Sequence, residues 1–339
     1  MMGVAILGGG FMGATHGRHY ATLGEQVQVK VVYGRGSEHT ARLAESLGAA
    51  LVTDLKEAVD REDVDIVDVC LPSHLHRWAA ELSFSAGKHV FVEKPIATAL
   101  GDAESILEAA ERSGRILMVG LTLRFWPEYV ELQRRVASGE LGAPLSVSTS
   151  RLSPPVDWNV WMTEFRHSGG VAVDLLVHDF DQIALALGSP IRVYARSVRG
   201  SQSAAGGHLL ATVECEGGQG LAEGGVRMPP SYPFSSNIRV LCEDGAAEYR
   251  FSAQPIQGEG NIGTSEPEVG GIRWYHQADR PRVVSVETAS PWDREIDYFL
   301  ECVGHERHPE HGTGAQALTA LRIALAANRS LESGLPEPV

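Results

Sequence analysis

The sequence has few of the features that mark secreted, metal-binding or nucleic-acid-binding proteins. Its 339 residues include only four cysteines, Cys70, Cys215, Cys242 and Cys302, and no two form a Cys-x-x-Cys pair. This spacing argues against a disulfide framework and against a zinc site. Lysine and arginine number 29 against 43 aspartates and glutamates, for a formal net charge of −14. Such a charge works against the basic face that binds nucleic acid, so we expect no nucleic-acid partner. From the cysteine spacing, we expect no metal either.

Long hydrophobic runs are also missing, since none approaches the roughly 20 residues of a membrane helix. The apolar start MMGVAILGGG has no basic segment and runs into glycines, so we expect a first β-strand and not a signal peptide. A hydrophobic content of 43% in a chain of this length predicts a soluble protein of two domains. We expect it in a reducing cytoplasm, without a membrane partner.

The order of the apolar runs predicts an α/β fold. In the first third, short runs alternate with amphipathic helical patterns, as in the βαβ units of a parallel sheet: VAIL, VQVKVVY, DIVDVCL, HVFVEK and ILMVG. From about Leu145, period-two alternation and glycine-rich turns predict an antiparallel sheet with one covered face. Its runs are LSVSTSRLS, IRVYARSV, LLATVECEGG, QGLAEGGVRM and AAEYRF. Ala253 to Gly271 is predicted to be a mobile loop, and two helical patterns follow.

A glycine-rich turn after the first strand predicts a nucleotide site. In GGGFMG, the residues Gly8, Gly10 and Gly13 match G-x-G-x-x-G, with Phe11 and Met12 between them. Between a strand and a helix, such glycines permit a tight turn and let a pyrophosphate approach the amides of the helix N-terminus. A turn without a ligand has the same pattern, but the βαβ context favours the nucleotide.

The end of the second strand bears on the choice of cofactor. An NAD site normally has an acid about 20 residues past the glycines. Here Tyr33, Gly34 and Arg35 occupy that region, and Ser37 and Glu38 follow. The missing carboxylate removes a repulsion that a 2′-phosphate would meet, and Arg35 with Ser37 can bind that phosphate. We therefore predict NADP; an exposed arginine beside a permissive NAD site is the alternative.

Two groups of polar residues are candidates for catalysis. The run HVFV leads directly into Glu93, Lys94 and Pro95, and ligands of open parallel sheets bind outside the carboxyl ends of the strands. There a partly withdrawn lysine can stabilise negative charge on a substrate oxygen, unless it simply extends to solvent. In SGGVAVDLLVHDFDQIALALG, Asp174 and His178 are four residues apart and so share a helix face, with Asp181 one turn further. A solvated polar face of an amphipathic helix would give the same pattern.

Taken together, these motifs resemble the glucose-fructose oxidoreductase and inositol dehydrogenase family of NAD(P)-dependent oxidoreductases. The resemblance spans nearly the whole chain and rests on GGGFMG, LPSHLHRWAAELSFSAGKHVFVEKPIA, ILMVGLTLRFWPEY, GELGAPLSV, SGGVAVDLLVHDFDQ and ALTALRIALAANRS. It implies a Rossmann domain, residues 1–122, followed by an α/β domain, residues 123–339, with a large open, mainly antiparallel sheet. Members usually form dimers or tetramers through that sheet, so a homodimer or homotetramer is expected, with the last helix packing back on the Rossmann domain.

The resemblance also implies roles for individual residues. Lys94, Asp174 and His178 correspond to the catalytic group of such proteins, and Arg124 to a substrate-contacting arginine of inositol dehydrogenases, unless it is an exposed charge at a domain junction. The implied substrate is a sugar, inositol or related polyol. Residues expected near the nicotinamide end are Leu71, Pro72, His74, His76, Glu93 and Lys94.

The role of each residue in the catalytic group is a hypothesis. A neutral imidazole can take the proton of a hydroxyl as hydride leaves, so we assign His178 as base in oxidation and acid in reduction. Asp174 would orient the ring or bond a neighbouring hydroxyl, and Lys94 would polarise the reacting oxygen. In some members of the family, the lysine transfers the proton instead. An NAD-dependent inositol or sugar dehydrogenase is the second interpretation, and a non-catalytic nucleotide-binding regulator the third.

Overall fold

The structure is a computed structural model that describes residues 1–155, 161, 164–198, 207–253, 271–277 and 279–339. These residues form two compact units: 1–122 with 290–318, and 123–289 with 319–339. The chain therefore leaves the first unit after Thr122 and returns to it at Ser290. Apart from its two ends, the loop predicted from Ala253 to Gly271 lies outside the described residues.

The described helices are short to medium in length and are numbered in chain order. They are α1 Phe11–Thr22, α2 Glu38–Leu47, α3 Leu55–Val59, α4 His76–Ser85, α5 Leu100–Ser113, α6 Pro127–Ala137, α7 Phe165–Ser168, α8 Gly170–Asp174, α9 Val177–Leu187, α10 Pro291–Gly304 and α11 Gly314–Ser333. Single 3₁₀ turns occur at Ser73–Leu75 and Thr122–Arg124. No helix in these described ranges is both long and apolar enough to cross a membrane.

The first unit contains a parallel sheet whose strands occur in the order β3-β2-β1-β4-β5-β6. They are β1 Met2–Leu7, β2 Val27–Tyr33, β3 Ala50–Val52, β4 Ile66–Val69, β5 His89–Glu93 and β6 Leu117–Gly120. Adjacent strands all pair in parallel, and the order reverses between β1 and β4, as in a dinucleotide-binding Rossmann fold. The predicted Rossmann domain is confirmed. The sequence interpretation missed only β3, because a three-residue strand has too short a pattern.

The second unit contains a nine-stranded sheet in the order β14-β13-β12-β11-β7-β10-β9-β8-β15. Its strands are β7 Pro144–Leu152, β8 Pro190–Ser197, β9 His208–Cys215, β10 Gly218–Gly225, β11 Phe234–Cys242, β12 Gly245–Ala253, β13 Ile272–His276, β14 Arg282–Val284 and β15 Glu337–Pro338. Among these pairings, β7 with β10 is parallel and the rest are antiparallel. The mainly antiparallel sheet is confirmed, although β11, β13, β14 and β15 were not predicted.

The two faces of this sheet differ in their environment. Helix α9 packs against β7 and β10, and residues such as Ala211, Ala222 and Ile238 are buried. On the opposite face, Leu210, Leu221 and Leu241 remain 42%, 40% and 47% exposed. One face of the sheet is therefore covered, as the alternation predicted. That a second copy of the chain covers the other face stays a prediction.

Candidate active site

The glycine-rich turn after β1 has the geometry of an anion cradle. Gly8 has a φ of +111°, and a Cβ on Gly13 would lie only 1.9 Å from the Gly8 carbonyl oxygen, so both positions favour glycine. Around Gly10, the residue that precedes α1, the space is open to 4 Å. The first turn of α1 contains no acidic residue, so its amides face no competing carboxylate. This turn, with Phe11 and Met12 beginning the helix, fits the pyrophosphate of a dinucleotide.

The turn after β2 is shaped by Thr40 of α2. A Cβ on Gly34 would lie 2.6 Å from Thr40 Cγ2, so a side chain at position 34 requires Thr40 to move. Ser37 caps α2: its Oγ accepts the Thr40 N–H at 3.2 Å and lies 2.7 Å from Thr40 Oγ1. Arg35 is exposed between them. Packing against Thr40 therefore disfavours an acid at position 34.

His76 ties together the turns that follow β4 and β5. The ring is buried, with Nδ1 2.8 Å from the Pro95 carbonyl and Nε2 2.7 Å from the Leu71 carbonyl. Burial lowers the pKa of His76 to about 4, so at neutral pH the ring donates to one carbonyl at a time. Leu71 and Pro72 are partly exposed and His74 is exposed. The geometry makes His76 a link between the two turns; its predicted place at the nicotinamide end stays a prediction.

A buried polar network that the sequence interpretation missed lies behind Lys94. His16 of α1 has Nδ1 2.9 Å from Asp68 Oδ2 and Nε2 3.4 Å from Glu93 Oε1. Glu93 Oε2 accepts the backbone N–H of Lys94 at 3.1 Å. Glu295 of α10 joins the network, and its Oε1 accepts the Thr122 hydroxyl at 2.9 Å. The sequence singled out Glu93 alone among these four residues, because each comes from a different element and Glu295 is about 200 residues from Lys94 in the sequence.

Burial and mutual charge shift the protonation of this network. Burial by itself lowers the pKa of His16, but the charge and bond of Asp68 and the charges of Glu93 and Glu295 raise it to about 9. Burial, together with the charge of Glu93, raises the pKa of Glu295 well above its usual range. At neutral pH His16 is therefore an imidazolium, and burial favours the protonated form of Glu295.

The raised pKa of His16 predicts that stability depends on pH. A group whose pKa rises from 6.5 in the unfolded chain to about 9 on folding stabilises the protein fully below pH 6.5 and loses that contribution as pH rises to 9. Glu295 acts in the same direction, because its carboxyl must ionise in a buried site. We expect the free energy of unfolding, measured with urea, to fall by about 3 kcal/mol between pH 6.5 and 9.

Two histidine variants test whether His16 causes this pH dependence of stability. His16→Gln should flatten the decline of stability with pH, whereas His39→Gln, at an exposed position of α2, should leave it in place. An equally steep decline in His16→Gln would show that another group is responsible.

The segment with Asp174 and His178 is not the single helix that its spacing predicted. Helix α8 ends at Asp174 and α9 begins at Val177; between them, the Leu176 N–H bonds to the Val171 carbonyl five residues earlier, at 3.0 Å. This wider turn breaks the regular i, i+4 relation. Within residues 170–183, nevertheless, only Asp174, Leu175 and His178 are not buried. The two predicted residues thus share the accessible side of this segment.

The neighbouring aspartates form buried ion pairs. Arg124 donates from Nε and Nη2 to Asp181 at 2.9 and 2.7 Å, and the two side chains are 6% and 3% exposed. Arg151 donates to Asp179 at 2.7 Å. A solvated polar face is therefore the wrong explanation for Asp181, because burying its charge requires a paired cation. The guanidinium of Arg124 is engaged within its own unit, and its contact with substrate stays a prediction.

Comparison with protein families identifies both parts of the chain. Residues 2–121 match the model described as "Oxidoreductase family, NAD-binding Rossmann fold", and residues 129–248 match the "GFO/IDH/MocA C-terminal domain". The chain belongs to the GFO/IDH/MocA oxidoreductase family. The resemblance seen in its motifs is confirmed, and the protein is an oxidoreductase with a nicotinamide-dinucleotide domain.

This GFO/IDH/MocA protein is similar to two inositol dehydrogenases and shares its fold with a solved structure. It is 25% identical to scyllo-inositol 2-dehydrogenase (NAD(+)) of Bacillus subtilis (strain 168), over 98% of this chain and 94% of that protein. Identity to the myo-inositol dehydrogenase Hyg17 of Streptomyces leeuwenhoekii is 28%, over 98% of both. The crystal structure of GenD2 from gentamicin A biosynthesis, in complex with NAD, has the same fold, with a TM-score of 0.83, 24% identity and coverage of 100% of this chain and 96% of that one.

Proposed function

We propose that the protein transfers a hydride between NADP and the CH–OH or carbonyl carbon of a sugar, inositol or related polyol. The observation that carries the proposal is the Glu93-Lys94-Pro95 turn. It follows β5 at the carboxyl edge of the Rossmann sheet and is linked through His76 to the turn after β4, beside the strand-order reversal. Ligands of open α/β sheets bind at this edge, so Lys94 is available to a substrate there. The names of the relatives support the substrate class.

The roles proposed for the protein's own residues follow from their chemistry. A bound nicotinamide supplies the hydride acceptor or donor. Lys94, as an ammonium, donates a hydrogen bond to the reacting oxygen and stabilises its developing negative charge. His178 takes the hydroxyl proton in oxidation and returns it in reduction. Asp174 orients the ring of His178 or bonds a neighbouring hydroxyl.

A substrate and cofactor panel tests this function. The protein is mixed with NADP or NAD and myo-inositol, scyllo-inositol, levoglucosan or D-glucose, and formation of the reduced cofactor is followed by its absorbance. Turnover with at least one polyol is expected, and faster with NADP. Binding of cofactor without turnover of any compound, in either direction, would instead support a regulator.

NAD is the second candidate, and two observations favour it: the family model describes an NAD-binding fold, and the Bacillus subtilis relative is named for NAD(+). Two features of this chain favour NADP. Gly34 lies where NAD sites have an acid. Arg35 is exposed, so its guanidinium can reach a 2′-phosphate. The NADP preference therefore depends on the turn after β2.

Replacing Arg35 by alanine should weaken NADPH binding by about 1 to 3 kcal/mol, because a charge-assisted hydrogen bond to the 2′-phosphate is lost. NADH binding should change little, since NADH has no such phosphate. Quenching of protein fluorescence gives both dissociation constants. Arg42→Ala is the matched control, because Arg42 is an exposed arginine on α2 that pairs with Glu38. Equal weakening of both cofactors by Arg35→Ala would contradict the NADP assignment.

An acid introduced at position 34 should help NADH only when Thr40 is made smaller. Gly34→Asp alone places a Cβ 2.6 Å from Thr40 Cγ2, so we expect poorer binding of both cofactors. Gly34→Asp combined with Thr40→Ala removes that clash, and the new carboxylate can then bond the ribose hydroxyls and repel a 2′-phosphate. The double variant should prefer NADH in the same fluorescence assay. A preference for NADH in Gly34→Asp alone would show that Thr40 imposes no steric limit.

A further inference from the structure

A series of buried contacts joins the helix after the glycine-rich turn to the backbone of Lys94. On α1, the ring of His16 is fixed by its bond to Asp68, at 2.9 Å. Its other nitrogen faces Glu93 Oε1 at 3.4 Å, and Glu93 Oε2 accepts the Lys94 N–H at 3.1 Å. Elements β4, β5 and α1 therefore meet in one polar contact beside Lys94.

The centre of this contact is shielded from water and holds polar atoms without a hydrogen-bond partner. His16 and Glu295 are at most 1% exposed and Glu93 is 6% exposed. Nε2 of His16, Oε1 of Glu93 and Oε2 of Glu295 make no hydrogen bond to any residue that the structure describes, although one nitrogen or oxygen of each residue lies within 4.8 Å of the others. Isolated charges in such a site are costly, so the protonation states must balance.

We propose that Glu93 is a positioning residue for Lys94, because its buried carboxylate lies 3.4 Å from the His16 ring and accepts the Lys94 N–H at 3.1 Å. In this arrangement Glu295 is the neutral member of the cluster. This inference rests on the proposed role of Lys94. The charges then balance, because the carboxylates of Asp68 and Glu93 face the cations of His16 and Lys94. Glu295 contributes no charge as the protonated acid, which is the form that burial favours.

The groups around Glu93 and Asp68 act on this arrangement in opposite directions. Burial is the largest influence and leaves the pKa of Glu93 raised, although the charges of His16 and Lys94 lower it and so favour the carboxylate. Around Asp68, the Tyr20 hydroxyl donates at 3.1 Å and the Cys70 thiol at 3.2 Å. Burial raises the pKa of both Tyr20 and Cys70 well above their usual ranges, so both remain neutral donors.

Helix α1 connects the glycine-rich turn with the backbone of Lys94. Helix α1 begins at the glycine-rich turn, and His16 lies about one and a half turns into that helix. Through Glu93, the same helix holds the backbone from which the Lys94 side chain extends. Loss of the Glu93 charge should therefore release Lys94 without disturbing the glycine-rich turn.

Two acid-to-amide variants of equal size test the inference on Lys94 itself. The protein is trace-acetylated with acetic anhydride and the modification of Lys94 is measured by mass spectrometry, with the exposed Lys56 as an internal reference. Glu93→Gln should accelerate acetylation of Lys94 by about 3- to 10-fold, because a neutral amide holds the Lys94 N–H more weakly than a carboxylate and so leaves the lysine more mobile and accessible. His16→Gln should act in the same direction. Glu295→Gln, which mimics a protonated acid, should leave the Lys94 rate as in the unmodified chain.

Kinetics provide a second readout in a polyol and NADP assay. Glu93→Gln and His16→Gln should each lower kcat with little change in the KM for NADP. The kcat of the double variant should be no lower than that of the less active single variant. Unchanged acetylation of Lys94 in Glu93→Gln, equal acceleration in Glu295→Gln, or multiplicative losses of kcat would overturn the inference. So would a rise in melting temperature with ZnCl₂ that Glu295→Gln abolishes, because a metal would require both glutamates to be ionised. The labelling result stands whether or not a substrate is found, so it separates this inference from the proposed function.

Discussion

Replacing Lys94 by alanine should lower kcat by about 10²- to 10³-fold, the range for loss of a group that stabilises an oxyanion. The dissociation constant of NADPH should stay nearly unchanged, because the ammonium is proposed to act on the reacting oxygen and not on the dinucleotide. The measurements are steady-state rates with a polyol substrate and fluorescence titration with NADPH. Loss of turnover without loss of cofactor binding would identify an interaction made in the transition state.

Lys88 provides the matched control, because it lies just before β5 and Lys94 lies just after it. The Nζ of Lys88 donates to the Arg61 and Val64 carbonyls at 2.9 and 2.7 Å, so Lys88 has a structural role. Lys88→Ala should lower the melting temperature and keep kcat. A Lys94→Ala variant with full turnover would mean that the lysine merely extends to solvent.

Replacing His178 by alanine should lower the rate of alcohol oxidation by about 10²- to 10⁴-fold, the usual contribution of a general base. In the unmodified protein, oxidation should slow as the pH is lowered, because a protonated ring cannot accept the hydroxyl proton. This acid limb should disappear from the residual activity of His178→Ala. The profile of kcat against pH, measured for both proteins, makes the comparison.

Asp174→Asn distinguishes the two roles proposed for Asp174, since it removes the charge and keeps the shape. If Asp174 bonds the ring of His178, the acid limb should move to lower pH, because the imidazolium loses a favourable charge. If Asp174 bonds a substrate hydroxyl, KM should rise and the limb should stay in place. An acid limb that persists in His178→Ala would transfer the role of base to Lys94.

Much of the fold follows from local patterns in the sequence. The buried strands of the first unit are mostly apolar, since a parallel sheet covered on both faces needs little polar alternation. The glycine-rich turn was recognised because Gly8 and Gly13 meet a steric demand that no other residue satisfies. Lys94 was found because it follows such a strand directly. In each case the signal lies within a few consecutive residues.

Other features gave local signals that misled. The spacing of Asp174 and His178 suggested one regular helix, but the wider turn at Leu176 interrupts it. Asp181 resembled a solvated residue, although Arg124 pairs with it in a buried site. A charged residue has the same local pattern whether it faces water or a distant partner. Burial, which sequence periodicity does not report for such residues, decides between the two.

The sequence by itself determined the Rossmann topology, the cofactor turn, the open second sheet and the identity of the candidate catalytic residues. Only the tertiary structure brought His16, Asp68, Glu93 and Glu295 together, where burial and mutual charge raise the pKa values of His16 and Glu295. It also placed Thr40 against Gly34. The reason is physical: a pKa depends on burial and on nearby charges, and a steric limit depends on contact between atoms. The charges of the network come from residues far apart in the chain, and even the contact of Gly34 with Thr40, six residues further on, leaves no trace in composition or spacing.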